Sequence, residues 1–253
     1  MFRALRARIQ QGARTIDFPS GRVALPERYR GLPVLDPTQC GDGCTACIES
    51  CPTDALSADP GLKLDLGRCL FCTECVAACP TGSIQMTGDY RMATRRRGDL
   101  VLGGQELERA YELDAAARRI FGRSLKLRQV SAGGCNACEV DVVVLNTVVF
   151  DLGRFGVQFV ASPRHADGLL ITGPVTRNMR EALRLTYEAV PGPKIVVAVG
   201  ACAISGGPYI GHPEVHGGAE STVPVDLYVP GCPPHPLTIL DGLLRLLGKI
   251  ERS

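Results

Sequence analysis

The sequence has 253 residues, 45% hydrophobic and 21% charged, values ordinary for a globular protein and sufficient for one large domain or two modest ones. A formal net charge of +2, 5% aromatic residues and no Trp supply neither a basic stripe nor stacking platforms, which excludes nucleic acid as an expected partner. The longest apolar stretches, such as residues 194–200, fall far short of the roughly 20 residues that a membrane-spanning helix needs.

Residues 1–36 read as an extended lead-in. Phe2, Leu5 and Ile9 fall at helical spacing opposite Arg3, Arg6 and Arg8, a pattern open to two readings: a short helix lying on an anionic membrane or in a partner groove, or a frayed basic terminus. The arginines interrupt the apolar run that a secretory signal requires, so the chain reads as cytoplasmic. Residues 37–90 form a second unit that holds eight of the twelve cysteines in an internal repeat. Cys40, Cys44, Cys47 and Cys51 precede Pro52, and Cys69, Cys72, Cys75 and Cys79 precede Pro80; each half ends in Cys-Pro-Thr, the mark of a duplicated loop, helix and strand. Residues 91–123 are expected to be a linker with a helix from Glu106 to Phe121. Its run Arg95, Arg96 and Arg97 is either a solvated face or a grip for phosphate or an acidic partner.

From residue 124 to 253 strands and helices alternate. Strands are expected at 125–130, 157–161, 168–173, 194–200 and 225–229, and helices at 139–150, 177–190 and 236–247. The expected fold class is therefore α/β: an N-terminal bacterial ferredoxin-like domain, then a flavodoxin-like, doubly wound parallel sheet whose sites gather beyond the C-terminal strand ends.

Twelve cysteines in a cytosolic chain are not explained by disulfides, which leaves metal. The second half of the repeat has the spacing C-x2-C-x2-C-x3-C-P, in which three cysteines bind one cube and the fourth binds its neighbour. Crossed assignment places Cys40, Cys44, Cys47 and Cys79 on one 4Fe-4S cluster, and Cys51, Cys69, Cys72 and Cys75 on the other. One extra residue separates Cys40 from Cys44; Gly41 and Gly43 can absorb it, and a different cluster type there stays open. Zinc is the alternative for paired Cys-x-x-Cys elements. Cys135, Cys138, Cys202 and Cys232 each follow an expected strand, so four sulfurs far apart in sequence converge on one sheet edge as ligands of a third cube. The alternative there is four buried structural cysteines.

Four motifs carry a family resemblance: Gly134-Cys-Asn-Ala-Cys138-Glu139, the segment from His165 to Thr176, Val197 to Cys202, and Val229-Pro-Gly-Cys-Pro-Pro234. Together they resemble the small subunit of membrane-bound, energy-converting NiFe hydrogenases of the formate hydrogenlyase type, and the complex I subunit that carries the terminal cluster next to quinone. Residues 25–90, with Arg28-Tyr-Arg-Gly-Leu-Pro33 ahead of the cysteines, resemble the two-cluster ferredoxin subunit of the same assemblies, so the chain reads as a fusion. Complex I has adjacent cysteines at the first position, whereas this chain has Cys135 and Cys138 in the hydrogenase pattern. Ala137 stands where the usual residue is glycine, a departure that leaves room for a relative without nickel.

The resemblance implies three 4Fe-4S clusters and a NiFe-hydrogenase-like large subunit facing the Cys135, Cys138, Cys202 and Cys232 cluster. It also implies membrane subunits, an electron-carrier protein, and a peripheral place on the cytoplasmic side of the inner membrane. Glu139 is either a proton relay at the subunit interface or a favourable charge at a helix start. Asp141 is a surface or interface residue. His165, His212, His216 and His235 are read as hydrogen-bonding or surface residues, because the cysteines already account for three cubes. Three functions compete: the electron-relaying hydrogenase subunit, a nickel-free complex I-like module passing electrons to quinone or another acceptor, and an independent ferredoxin-like carrier.

Overall fold

A computed structural model describes residues 2–21, 23–41, 43–58 and 61–250. Helix α1 (Phe2–Gln11) is built from good helix formers and stops at Gly12, whose N–H returns to the Arg8 carbonyl at 3.1 Å in a left-handed conformation, φ +63°. It buries none of its residues, and Phe2, Leu5 and Ile9 are exposed.

The cysteine-rich unit comprises β1 (Pro33–Leu35), α2 (Ala46–Glu49), β2 (Leu56–Ser57), β3 (Lys63–Asp65), α3 (Glu74–Ala78), β4 (Ile84–Met86) and β5 (Val101–Leu102). Helix α3 ends at Ala78 with Cys79, the last cysteine of its half, as its cap, and α2 ends at Glu49 with Ser50 as its cap, just before Cys51; a proline follows each of these cysteines. Strands β1 and β4 pair antiparallel and tie the start of the unit to its end, while β2, β3 and β5 make a second antiparallel sheet. Residues 91–102 thus supply a strand to this unit. The arginines ahead of that strand are engaged within the chain: Arg97 grips Asp65 through two bonds of 2.8 and 2.6 Å, Arg96 pairs with Asp99 and Glu108, and Arg95 lies over the Tyr111 ring.

The helix expected from Glu106 begins only at Ala115 and runs to Phe121 as α4. The Asp114 carboxylate caps it by accepting the Ala116 and Ala117 N–H groups. Residues 107–113 form a strap instead. Leu107, Ala110 and Leu113 are buried as anchors, and the Ala110 and Leu113 N–H groups donate to the carbonyls of Ala93 and Leu246.

The C-terminal domain contains β6 (Leu125–Ser131), α5 (Ala137–Val144), β7 (Val157–Phe159), β8 (Gly168–Thr172), α6 (Arg177–Ala189), β9 (Ile195–Val199), α7 (Ala201–Ser205), β10 (Leu227–Val229) and α8 (Pro236–Leu246). Helix α5 is shorter than expected, because the Thr147 hydroxyl donates back to the Val144 carbonyl and the chain turns there. All five strands are parallel, in the order β10-β9-β8-β6-β7. The chain moves from β6 outward to β7 and then returns across β6 to β8, which is the flavodoxin-like order with its switch point between β6 and β8.

Alternating side chains face opposite cores. Leu169, Ile171, Val196 and Ala198 point into one with the cysteine-rich unit and α6, while Leu170, Ile195, Val197 and Val199 point into the other with α5 and α8. The first core is shared by both halves of the chain, and the Ser205 hydroxyl donates to the Gly67 carbonyl at 2.8 Å across the seam. Among the described residues no helix is long and apolar enough to cross a membrane.

Candidate iron-sulfur sites

The eight N-terminal cysteines separate into two sets that cross the repeat. The Cys47 thiol is pushed up by burial and by the negative fields of Cys79, Cys40 and Cys44. Burial pushes Cys69 up to about 12, with added repulsion from Cys75, Cys51 and Cys72. Burial likewise pushes Cys75 to about 11, with Cys72 and Cys51 as its strongest cysteine neighbours and Cys47 a weaker one. Cys79 is different: burial raises it, but hydrogen bonds from Thr81 and Ser83 outweigh that and bring it down to about 7. Buried thiols that resist ionising need a cation to replace their protons, and iron supplies one.

Backbone geometry shapes the second set. Phe71 and Thr73, on either side of Cys72, adopt left-handed φ of +55° and +73°, which turns the loop tightly enough to aim successive sulfurs inward. The Phe71 N–H points at Cys69 Sγ and the Ala55 N–H at Cys51 Sγ, both at 3.3 Å. Cys51, Cys69, Cys72 and Cys75 line one small, largely apolar cavity with Leu64 and Met86.

Cys135 and Cys138 follow β6, Cys202 sits on α7 after β9, and Cys232 follows β10, so one end of the sheet carries all four. Burial raises Cys138, with Cys202, Cys232 and Cys135 contributing repulsion; burial brings Cys202 to about 12, again with Cys232 and Cys135 nearby. Cys135 and Cys232 are exposed on the rim. Two glycines make room: a Cβ on Gly200, φ +90°, would stand 2.5 Å from Cys138 Sγ, and one on Gly207, φ +56°, 2.8 Å from Cys202 Sγ. Beside the rim, Val140 and Val143 expose an apolar face of α5.

Glu139 is buried at the switch point, its Oε1 accepting the Ser131 hydroxyl at 2.6 Å and the Thr172 hydroxyl at 2.7 Å from the ends of β6 and β8. Neither hydroxyl stood out in the sequence: Ser131 falls in the polar phase of β6, and Thr172 ends the buried run of β8. Asp141 is half-buried, and burial raises its carboxyl above the usual range. It faces a cleft between Cys72 and Cys232 together with Arg30, Tyr29 and His235. The His235 Nδ1 accepts the Leu237 N–H and caps α8, and its ring meets Tyr29 edge-on at 5.3 Å. His212 accepts the Glu214 N–H, and His165 is exposed.

The residues fit iron-sulfur clusters: thiols gathered by the fold, N–H groups aimed at Cys51 and Cys69 sulfur, and glycines beside Cys138 and Cys202 where sulfur needs space.

A family model described as NADH ubiquinone oxidoreductase, 20 Kd subunit, matches residues 135–246, and one described as a 4Fe-4S dicluster domain matches residues 39–83. The probable membrane-bound hydrogenase subunit mbhJ of Pyrococcus furiosus is 42% identical over 147 residues, covering 58% of this chain and 88% of that protein. The chain belongs to the 20 kDa NADH ubiquinone oxidoreductase subunit family. Formate hydrogenlyase subunit 7 of Escherichia coli is 42% identical over 146 residues, 58% of this chain and 57% of its own length. An NADH-quinone oxidoreductase subunit of Rubrobacter xylanophilus is 45% identical over 121 residues, 47% of this chain and 48% of its own length. The chain thus spans about half the length of these two relatives. As a member of this family it is an electron-transfer subunit of an oxidoreductase, with a 4Fe-4S dicluster domain ahead of the family domain.

Proposed function

We propose that this chain relays electrons through three 4Fe-4S clusters to or from the NiFe active site of a partner large subunit, within an energy-converting hydrogenase complex of the formate hydrogenlyase type. The supporting observation is the order of the cysteine sets. Cys75 has Cys47 of the outer set as an electrostatic neighbour, and Cys72 lines one cleft with Cys232 of the rim set, so the central set neighbours both of the others. Cys40, Cys44, Cys47 and Cys79 hold the outer cluster toward an electron-carrier protein. Cys51, Cys69, Cys72 and Cys75 hold the central one, and Cys135, Cys138, Cys202 and Cys232 hold the one at the rim. When bound, such clusters supply one-electron transfer at potentials tuned by hydrogen bonds and exposure.

At the rim, exposed Cys135 and Cys232 and the valines of α5 form the face for the large subunit. Glu139, held by two hydroxyls beside that face, is positioned to pass a proton across it. The relatives named as subunits of membrane-bound hydrogenase and formate hydrogenlyase support membrane subunits in the same complex, with this chain peripheral on the cytoplasmic side of the inner membrane.

A nickel-free, complex I-like module passing electrons to quinone or another acceptor is the second reading, favoured by the 45% identity to the NADH-quinone oxidoreductase subunit of Rubrobacter xylanophilus. Elemental analysis of the native complex, purified without oxygen through a tag on this chain, separates the two. About twelve irons from three cubes plus one from the active site, with about one nickel, supports the first reading. About twelve irons and no nickel, with a large subunit present, supports the second.

A further inference from the structure

Arg30 lies outside every cysteine motif, yet its side chain reaches across the chain to the loop that bears Cys72. Its Nη1 donates to the Phe71 and Cys72 carbonyls, both at 3.1 Å. Those carbonyls belong to the tight turn in which Phe71 and Thr73 are both left-handed, and Arg30 lines the cleft that runs from Cys72 to Cys232. A guanidinium keeps its charge at every accessible pH, so a fixed cation stands over the central cysteine set on the side facing the rim set.

The flanking sets are electrostatically different. Neither the stretch from Cys40 to Cys51 nor that from Cys69 to Cys75 contains a Lys or Arg, and Glu49 and Glu74 stand in them; the central set differs in receiving Arg30 from outside its own loop. At the rim, Cys138 and Cys202 lie in the field of Glu139. Adding an electron to a cluster adds negative charge, which a nearby cation stabilises and a nearby carboxylate opposes.

We propose that Arg30 raises the reduction potential of the cluster held by Cys51, Cys69, Cys72 and Cys75, and thereby makes it the collecting point between the outer and rim clusters. This role rests on the reading that those four cysteines hold a cube. Arg30 acts through the loop and the field, as a positioning residue that ligates nothing. Because the arginine is largely exposed, solvent screens its effect to about a tenfold change in the reduced-to-oxidised ratio, about 59 mV for a one-electron couple.

The test is an EPR-monitored redox titration of the intact complex, with the central signal assigned as the one altered by Cys72→Ser. Arg30→Gln keeps a donor for the carbonyls and removes the charge; it should lower the central potential about tenfold in reduced-to-oxidised ratio, leave the other two signals in place, and keep the iron content. Arg30→Lys should restore most of the shift. An unchanged potential in Arg30→Gln overturns the proposal. So does an equal shift in Arg30→Lys, which would trace the effect to loop geometry. If Arg30→Gln does not assemble its clusters, Arg30→Met, which keeps the aliphatic stem, takes its place under the same criteria. If Cys72→Ser alters no cluster signal in an otherwise native complex, the cube assignment itself falls, and that result is read in a sample whose Arg30 is intact.

Discussion

Gly200 is the position where backbone and cluster chemistry meet most closely. It follows β9 with φ +90°, and a Cβ there would stand 2.5 Å from Cys138 Sγ. Substitution by alanine imposes two costs. At φ +90° and ψ 155° the backbone is in a region essentially confined to glycine, which costs a residue with a Cβ about 1–3 kcal/mol. Restoring ordinary contact at about 3.5 Å then requires the sulfur to retreat by about 1 Å, twice the roughly 0.5 Å that a preorganised site tolerates. Against a typical total stability of about 5–15 kcal/mol, the first cost leaves the chain folded, while the second removes one ligand from the rim set. Gly200→Ala should therefore fold but lose the rim cluster, dropping from about twelve irons to about eight. Anaerobic iron analysis and EPR of the reduced protein would read this directly. Gly156→Ala is the control: at φ +74° its Cβ would stand 2.3 Å from the Arg123 carbonyl oxygen, a comparable strain at the start of β7, away from the cysteines. It should lower the melting temperature and keep the iron. A Gly200→Ala protein that retains all three reduced-state signals would refute the convergence of Cys138 and its partners on a cluster beside Gly200.

Crossed ligation predicts that Cys51→Ala perturbs the same EPR signal as Cys69→Ala and leaves untouched the one altered by Cys40→Ala; a shared signal for Cys51 and Cys40 would break the assignment. Glu139→Gln can still accept both hydroxyls through its amide oxygen, so iron content and melting temperature should hold, while turnover of the complex should fall by about 100-fold or more if the carboxyl carries protons. Unchanged turnover would reduce Glu139 to a packing role. Asp241 and Arg245 form an ion pair on α8 at 2.8 Å with both side chains 3% exposed. Arg245→Leu leaves the carboxylate buried without that partner and should cost about 3–5 kcal/mol in chemical denaturation, much of which the double substitution with Asp241→Leu should recover.

Much of the chemistry was legible because it is local. Thiolate ligation imposes short spacings on a turning backbone, so the repeat announced a ferredoxin-like unit before any fold was known, and the 4Fe-4S dicluster match over residues 39–83 agrees. Strand positions in the C-terminal domain were legible too, since buried parallel strands such as β8 and β9 are short apolar runs bounded by glycine or proline. The helix expected over residues 106–121 failed over its first part for a non-local reason. Leu107, Ala110 and Leu113 have helical spacing, but Leu107 is spent in one core and Ala110 and Leu113 in the other, and Asp114 starts the helix after them.

By itself, then, the sequence pointed to twelve cysteines as the proposed ligands and determined that a parallel sheet follows a ferredoxin unit, because ligand spacing and strand periodicity are written within windows of a few residues. Only the tertiary structure decided the strand order, the shared cleft of Cys72 and Cys232, the pairing of Glu139 with Ser131 and Thr172, and the reach of Arg30 to the Cys72 loop. Each of these joins residues from separate segments, and such meetings are fixed by how two cores pack on opposite faces of one sheet, a balance of burial summed over the whole chain.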